Sequence, residues 1–116
     1  MAFAVEVALT QSWEHKDRIF TDLEGIEAEI AAIVEHARPD DWNRDAVDGF
    51  FADIEADRER QGGADTVYWT ARMPRWILNF TLDAPTRELA AEAALGRLPS
   101  PLPEGWETAT YAEPAP

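Results

Sequence analysis

Phe20, Leu23, Ile26, Ile30, Ile33, Val34 and Ala37 recur every three or four residues, and this stripe constrains the fold more than any other feature of the chain. It is the apolar face of an amphipathic helix, and such a face needs an apolar surface elsewhere to cover. Thr21-Asp22-Leu23-Glu24 reads as a capping box, in which the threonine oxygen takes an orphan N–H and the glutamate reaches back. His36 and Arg38 suit the negative pole at the far end, and Pro39 stops the run. The spacing predicts a helix over about 22–37.

The surface to be covered comes from alternating segments. Phe3, Val5, Val7 and Leu9 lie on one side of residues 2–9, with Ala4, Glu6 and Ala8 on the other, the pattern of a half-buried strand. Residues 10–18 are a polar connection. Trp76, Leu78, Phe80 and Leu82 alternate in the same way, as do Val67, Trp69 and Ala71, which predicts strands over about 66–72 and 76–83. Met73-Pro74 is the corner between them, because proline has no N–H to give a ladder.

Ahead of this hairpin, residues 40–62 read as a second helix. Asp40 or Asp41 caps it, Trp42, Ala46, Val47, Phe50, Phe51 and Ile54 supply its apolar face, and Gly62-Gly63 end it. Residues 83–98 predict a third helix entered through Asp83 and Pro85, with Leu89, Ala93 and Leu98 turned inward. Residues 106–112 read as a last strand and 113–116 as a flexible tail. Without the second helix the order is βαββαβ, the split-βαβ or ferredoxin-like order. The expected fold is therefore α+β: a ferredoxin-like antiparallel sheet with helices on one face and an acidic helix inserted after the first. Residues 1–112 are expected to form one domain. A helical N-terminal unit leaning on a three-stranded sheet is the alternative, and the apolar strand over 2–9 speaks against it.

Charge narrows the partners. The 116 residues carry 23 acids and 10 bases, a net charge of −13, and 16 of those acids against 6 bases fall in residues 1–62. Such a chain repels nucleic acid and anionic membrane surfaces unless a local basic patch overrides its field. With no cysteine, disulfides, thiolate nucleophiles and cysteine-based metal sites are excluded. No signal-peptide pattern and no run of about 18 apolar residues occurs, so the expected location is the cytoplasm.

The segment "VYWTARMPRWILNF" at 67–80 interleaves aromatics with arginine, as single-strand nucleic-acid binders do. Its alternation instead sends Trp69 and Trp76 to the core and leaves an open sheet face of Glu6, Tyr68, Thr70, Arg72, Ile77, Asn79 and Thr81. One tyrosine beside a glutamate is a poor base-stacking platform, and no direct nucleic-acid binding is expected.

His15 and His36 each have neighbouring carboxylates but lack the spacing that sets two ligands on one helical face, so no metal or other cofactor is expected. Catalytic work by a carboxylate needs a desolvating pocket, which the pattern does not supply. Asp41, Asp45 and Asp48 line one side of the second helix, Glu55 and Glu59 continue an acidic surface, and Arg44 stands among them at helical spacing. Trp13 and Trp106 fall in or beside connectors, where a large aromatic is an interface anchor or closes the core from its edge.

These features favour a small acidic, non-enzymatic module for protein–protein interaction or assembly, taking a protein partner or a second copy of itself on its open sheet face or edge strands. The alternative is a DNA mimic, whose acidic helices block a basic nucleic-acid-binding protein. Small acidic binding proteins would be unsurprising in a phage or other mobile element. A second alternative is a dimeric ferredoxin-like enzyme or ligand-binding protein, for which His15, Tyr68 and Asn79 are the residues to mutate first; it rests on fold analogy.

Overall fold

The computed structural model describes residues 1–15, 17–60 and 75–116, with the backbone alone at Phe20 and residues 53–60. The expected strand over 66–72, its corner at Met73-Pro74 and the faces assigned to Val67, Trp69 and Ala71 lie outside the described residues.

The alternation at the start of the chain produces β1 (Ala2–Gln11), which pairs antiparallel on both sides. One neighbour is β3 (Trp76–Asp83) and the other β4 (Trp106–Pro114). A two-residue strand, β2 (Asp41–Trp42), pairs with the outer side of β3, so the sheet runs β2-β3-β1-β4. Among the described residues the helices are α1 (Arg18–Thr21), α2 (Leu23–Ala37), α3 (Arg44–Arg60) and α4 (Arg87–Leu95), with a 3-10 turn at Trp13–His15. An antiparallel four-stranded sheet with packed helices is an α+β fold.

Phe3, Val5, Val7 and Leu9 of β1 and Trp76, Leu78 and Phe80 of β3 are buried on the same face, as their alternation requires. Ile26, Ile30, Ile33 and Ala37 of α2 share one core cluster with them. Each large aliphatic side chain buried this way contributes roughly 1.5–3 kcal/mol. Trp76 and Trp106 meet edge to face with ring centroids 5.2 Å apart, closing one end of the core.

The caps differ from the expected ones. Asp22, not Thr21, caps α2: its carboxylate accepts from the Gly25 N–H at 3.2 Å. Thr21 belongs to α1, and its hydroxyl donates to the Asp17 carbonyl. At the far end Arg38 turns into the left-handed region, with φ of 52°. The carbonyls of Ala37 and Arg38 at the helix end are taken by Arg97, which follows α4 and donates to both at 3.0 Å. The Arg97 guanidinium lies 5.4 Å from the centroid of the Phe80 ring.

The second helix begins later than the aspartates suggest. Asp40 donates its N–H to the Asn79 carbonyl and Asn43 to the Ile77 carbonyl. The Asn43 side chain bridges the same strand, accepting from the Ile77 N–H at 2.7 Å and donating to the Arg75 carbonyl at 2.8 Å. With the polar groups of this segment satisfied by β3, Asp41 and Trp42 form a strand, and helical geometry starts at Arg44. Trp42 consequently faces Leu78 across two strands instead of lining a helix. Val47 is buried as expected, and Ala46 is exposed.

The third helix is rotated relative to expectation. Thr86 caps it, accepting from the Leu89 N–H, and it buries Ala90 and Ala94. Leu89 and Ala93 face outward, while Leu98, beyond the helix, is buried. Alanines without long side chains let the helix backbone approach the sheet closely, and that proximity outweighs the burial of one leucine. The last strand also runs past residue 112, through Pro114, and Ala115 donates its N–H to the Ala2 carbonyl.

Candidate protein-interaction face

The face of the sheet turned away from the helices follows from strand parity. β1 contributes Ala4, Glu6, Ala8 and Thr10, β3 contributes Ile77, Asn79 and Thr81, and β4 contributes Glu107, Ala109, Tyr111 and Glu113. Of the expected open-face residues, Glu6, Asn79 and Thr81 are found there together, whereas Tyr68, Thr70 and Arg72 lie outside the described residues. Ala8, between Ile77 and Ala109, is small enough to be buried even on this open side.

Register lines up Asp41, Asn79, Glu6 and Tyr111 as a single row across all the strands. The Asn79 amide donates to Oδ1 of Asp41 at 2.7 Å, and this holds the short β2 strand's carboxylate toward the row. Tyr111 is 59% exposed and leans toward Glu113, with 3.4 Å between its hydroxyl and Oε2. Together with Ala4, Asp40 and Thr81 these residues line a shallow groove of about 200 Å³. Its charged walls are Glu6, Asp40, Asp41 and Glu113, with no basic side chain among the described residues that line it. Neighbouring strands are about 4.8 Å apart, so the carboxylates form a field spread over the sheet rather than a touching pair. Such a surface attracts cationic side chains.

The acids expected on one helix face are divided. Asp41 belongs to the sheet row, while Asp45 and Asp48 are exposed at the start of α3, with Asp48 lying 3.9 Å from Arg44. The side chains of Glu55 and Glu59 lie outside the described residues. On α2, Asp22 and Glu29 are engaged by Arg18, whose guanidinium reaches both carboxyl oxygens of Glu29 and one of Asp22. Hydrogen bonds from Arg18 hold the Glu29 carboxyl below the ordinary carboxylate range, against the opposing effect of burial and with help from the Trp106 indole N–H. The same pairing with Glu29 raises the Arg18 guanidinium.

Trp106 is therefore a core residue, 8% exposed, with its indole N–H on Glu29; it closes the core from its edge and offers no anchor to a partner. Trp13 is 72% exposed in the turn after β1. His15 follows in the same turn, its Nδ1 2.8 Å from the Ser12 hydroxyl. His15 and Asn79 are not brought together: Asn79 pairs with Glu6, about 17 Å along β1 from Gln11, the strand's last residue before the turn. His36 is exposed near the end of α2. Among the described residues no three His, Asp or Glu side chains converge as a metal site, and no helix is long and apolar enough to cross a membrane.

A second concavity, of about 220 Å³, lies between α2, α3 and β3. Ile30, Val47, Trp42, Phe51 and Trp76 form its apolar lining, with Glu27, Arg44 and Asp48 also on its wall.

Tyr111 is the member of the row that sequence reasoning missed, and Asp41, expected on the acidic helix face, stands in the row instead. Parity held the signal for Tyr111: once Trp106 faces the core, a residue five positions on along the same strand faces the other way. No family model matches the chain, and comparison with curated proteins and with solved structures finds no significant match.

Proposed function

We propose that this chain is a small acidic, non-enzymatic protein–protein interaction module that docks a basic partner on the open face of its sheet. The observation that carries the reading is the row Asp41, Asn79, Glu6 and Tyr111, with Glu113 beside it: an aromatic and several carboxylates in register on a rigid sheet. Long-range attraction brings a basic protein in, and Tyr111 gives it an apolar and cation-binding contact at the β4 end of the row. In this reading the sheet is ferredoxin-like, with α3 inserted between its short second strand and its third. The DNA-mimic alternative has less support, because Asp22 and Glu29 are engaged by Arg18 and Asp48 by Arg44.

The test is capture by the tagged chain against capture by a variant carrying Glu6→Gln, Asp41→Asn and Glu113→Gln, with circular dichroism confirming that both are folded. A basic protein held by the unaltered chain, released by about 0.5 M salt and not held by the variant, is the expected result. Equal capture by both chains sinks the reading. Loss of capture through Asp45→Asn and Asp48→Asn instead would move the site to α3 and favour the mimic.

A further inference from the structure

We infer that the outer edge of β4 is a strand-addition site, and that the partner enters it as an extended basic segment; this rests on the interaction reading above and names how the partner binds. In an antiparallel pair, residues alternate between those whose N–H and C=O bond the neighbour and those whose groups point away. The phase between β1 and β4 is fixed at both ends. Ser12 donates its N–H to the Gly105 carbonyl at 2.7 Å, and Ala115 donates to the Ala2 carbonyl at 3.0 Å. Counting inward along the register, Glu107, Ala109, Tyr111 and Glu113 bond β1, while Thr108, Thr110 and Ala112 send their peptide groups outward. No strand takes up those groups among the described residues, since β4 ends the sheet.

Edge strands of this length are ordinarily blunted by lysine, proline or a bulge. Here the register runs unbroken from the Phe3–Pro114 pair to the Gln11–Trp106 pair, so no bulge interrupts it. Proline is reached only at Pro114, and the strand carries no basic residue. Thr108 and Thr110 are exposed although they lie on the helix side of the sheet, which leaves room beside the edge for an incoming strand's side chains.

Charge selects the occupant. An added strand places alternate side chains across from Glu107, Ala109, Tyr111 and Glu113 on the open face, where lysine or arginine meets a carboxylate at either end and an aromatic between. A second copy does poorly at the same edge. In self-pairing centred on Thr110, each Glu107 opposes Glu113 of the other copy, and both chains carry a charge of −13.

The experiment uses the full chain, labelled with nitrogen-15, and a blocked peptide as long as β4, nine residues, alternating valine with lysine. Amide exchange is read residue by residue with and without the peptide. The expected result is slowing of about tenfold or more at Thr108, Thr110 and Ala112, with the β1-bonded amides of Ala109 and Tyr111 protected throughout. Thr110→Pro, which removes an outward N–H that β1 does not use, should weaken binding about tenfold or more, while Thr110→Val binds like the unaltered chain. Methylating alternate backbone nitrogens of the peptide should abolish binding independently of whether the proline variant folds.

Peptide binding that depends on Glu6 and Glu113 but leaves exchange at Thr108, Thr110 and Ala112 unchanged overturns strand addition and leaves the docking face standing. Slow exchange at those amides without peptide, with a doubled molar mass, overturns the basic occupant in favour of a second copy. Failure of the peptide to bind overturns strand addition, and capture experiments on the Glu6, Asp41 and Glu113 variant then decide the docking face separately.

Discussion

The indole N–H of Trp106 donates to Oε1 of Glu29 at 3.0 Å, tying the first residue of β4 to the middle of α2 across 77 residues of sequence. Arg18 holds both oxygens of the same carboxylate. Removing the indole N–H with Trp106→Phe should cost about 1–3 kcal/mol, from one charge-assisted bond and some lost packing on Trp76. Urea unfolding of the variant measures it, and an unchanged midpoint would show that the bond is idle.

Acid should weaken the fold through Glu29. Its folded-state carboxyl sits below the ordinary value of 4.5, so near and below that pH the unfolded chain binds more protons than the folded one. The stabilisation is complete above the ordinary value and is lost as the pH falls through the lowered folded one. Urea midpoints measured from pH 7 down to about pH 3 should therefore fall less for Glu29→Gln than for the unaltered chain. Parallel curves would assign the acid sensitivity elsewhere.

Gly105 leads into β4 with φ of 96°, and a Cβ there would stand 2.8 Å from Cγ of His15. Gly105→Ala meets both a disfavoured backbone and a ring held by its bond to Ser12. A loss of about 1–3 kcal/mol is expected in thermal or urea unfolding, and a neutral result would mean that the turn relaxes freely.

Gln11 is 5% exposed, and neither atom of its amide has a hydrogen-bond partner among the described residues. An unsatisfied buried polar group costs about 1–3 kcal/mol, whereas an apolar side chain of similar shape carries no such cost. Gln11→Met should raise the unfolding midpoint. A lowered midpoint would show that the amide is satisfied in solution.

On α4 the two faces should respond oppositely. Leu89 is 46% exposed and Ala90 fully buried, so Leu89→Lys should change stability by less than about 0.5 kcal/mol while Ala90→Leu costs about 1–3 kcal/mol or more. The reverse ranking would restore the orientation expected from sequence.

Long periodic segments were legible in the sequence. Phe3, Val5, Val7 and Leu9, and Ile26, Ile30, Ile33 and Ala37 of α2, are buried where their spacing put them because each segment carries several large side chains whose burial agrees. Alanine-rich α4 has no such majority, and its facing is decided by how near the backbone can come to the sheet. β2 was hidden because Asp40-Asp41 ahead of a helix looks like a cap, and what keeps the segment extended lies more than thirty residues away: Asp40 bonds Asn79, and Asn43 reaches Ile77 and Arg75. The open face was half legible for the same reason: Glu6, Asn79 and Thr81 follow from alternation, while Asp41 joins them through that distant pairing. Glu29 carries no sequence mark of its role, because Arg18 and Trp106 converge on it only in the folded chain.

β1 has a partner on each side, and both are made long after it: β3 starts at Trp76 and β4 at Trp106. On the ribosome, at about 5–20 residues per second, the β1 segment waits several seconds with its apolar side chains and both edges unpaired. Only local helices can form in that interval. Shortening the chain from the β4 end should thus remove more than one strand's contribution, because it strips the neighbour from the strand that organises the whole sheet. A nascent chain halted before Trp76 carries β1 with both edges bare, and one halted before Trp106 still carries it with one edge open to aggregation.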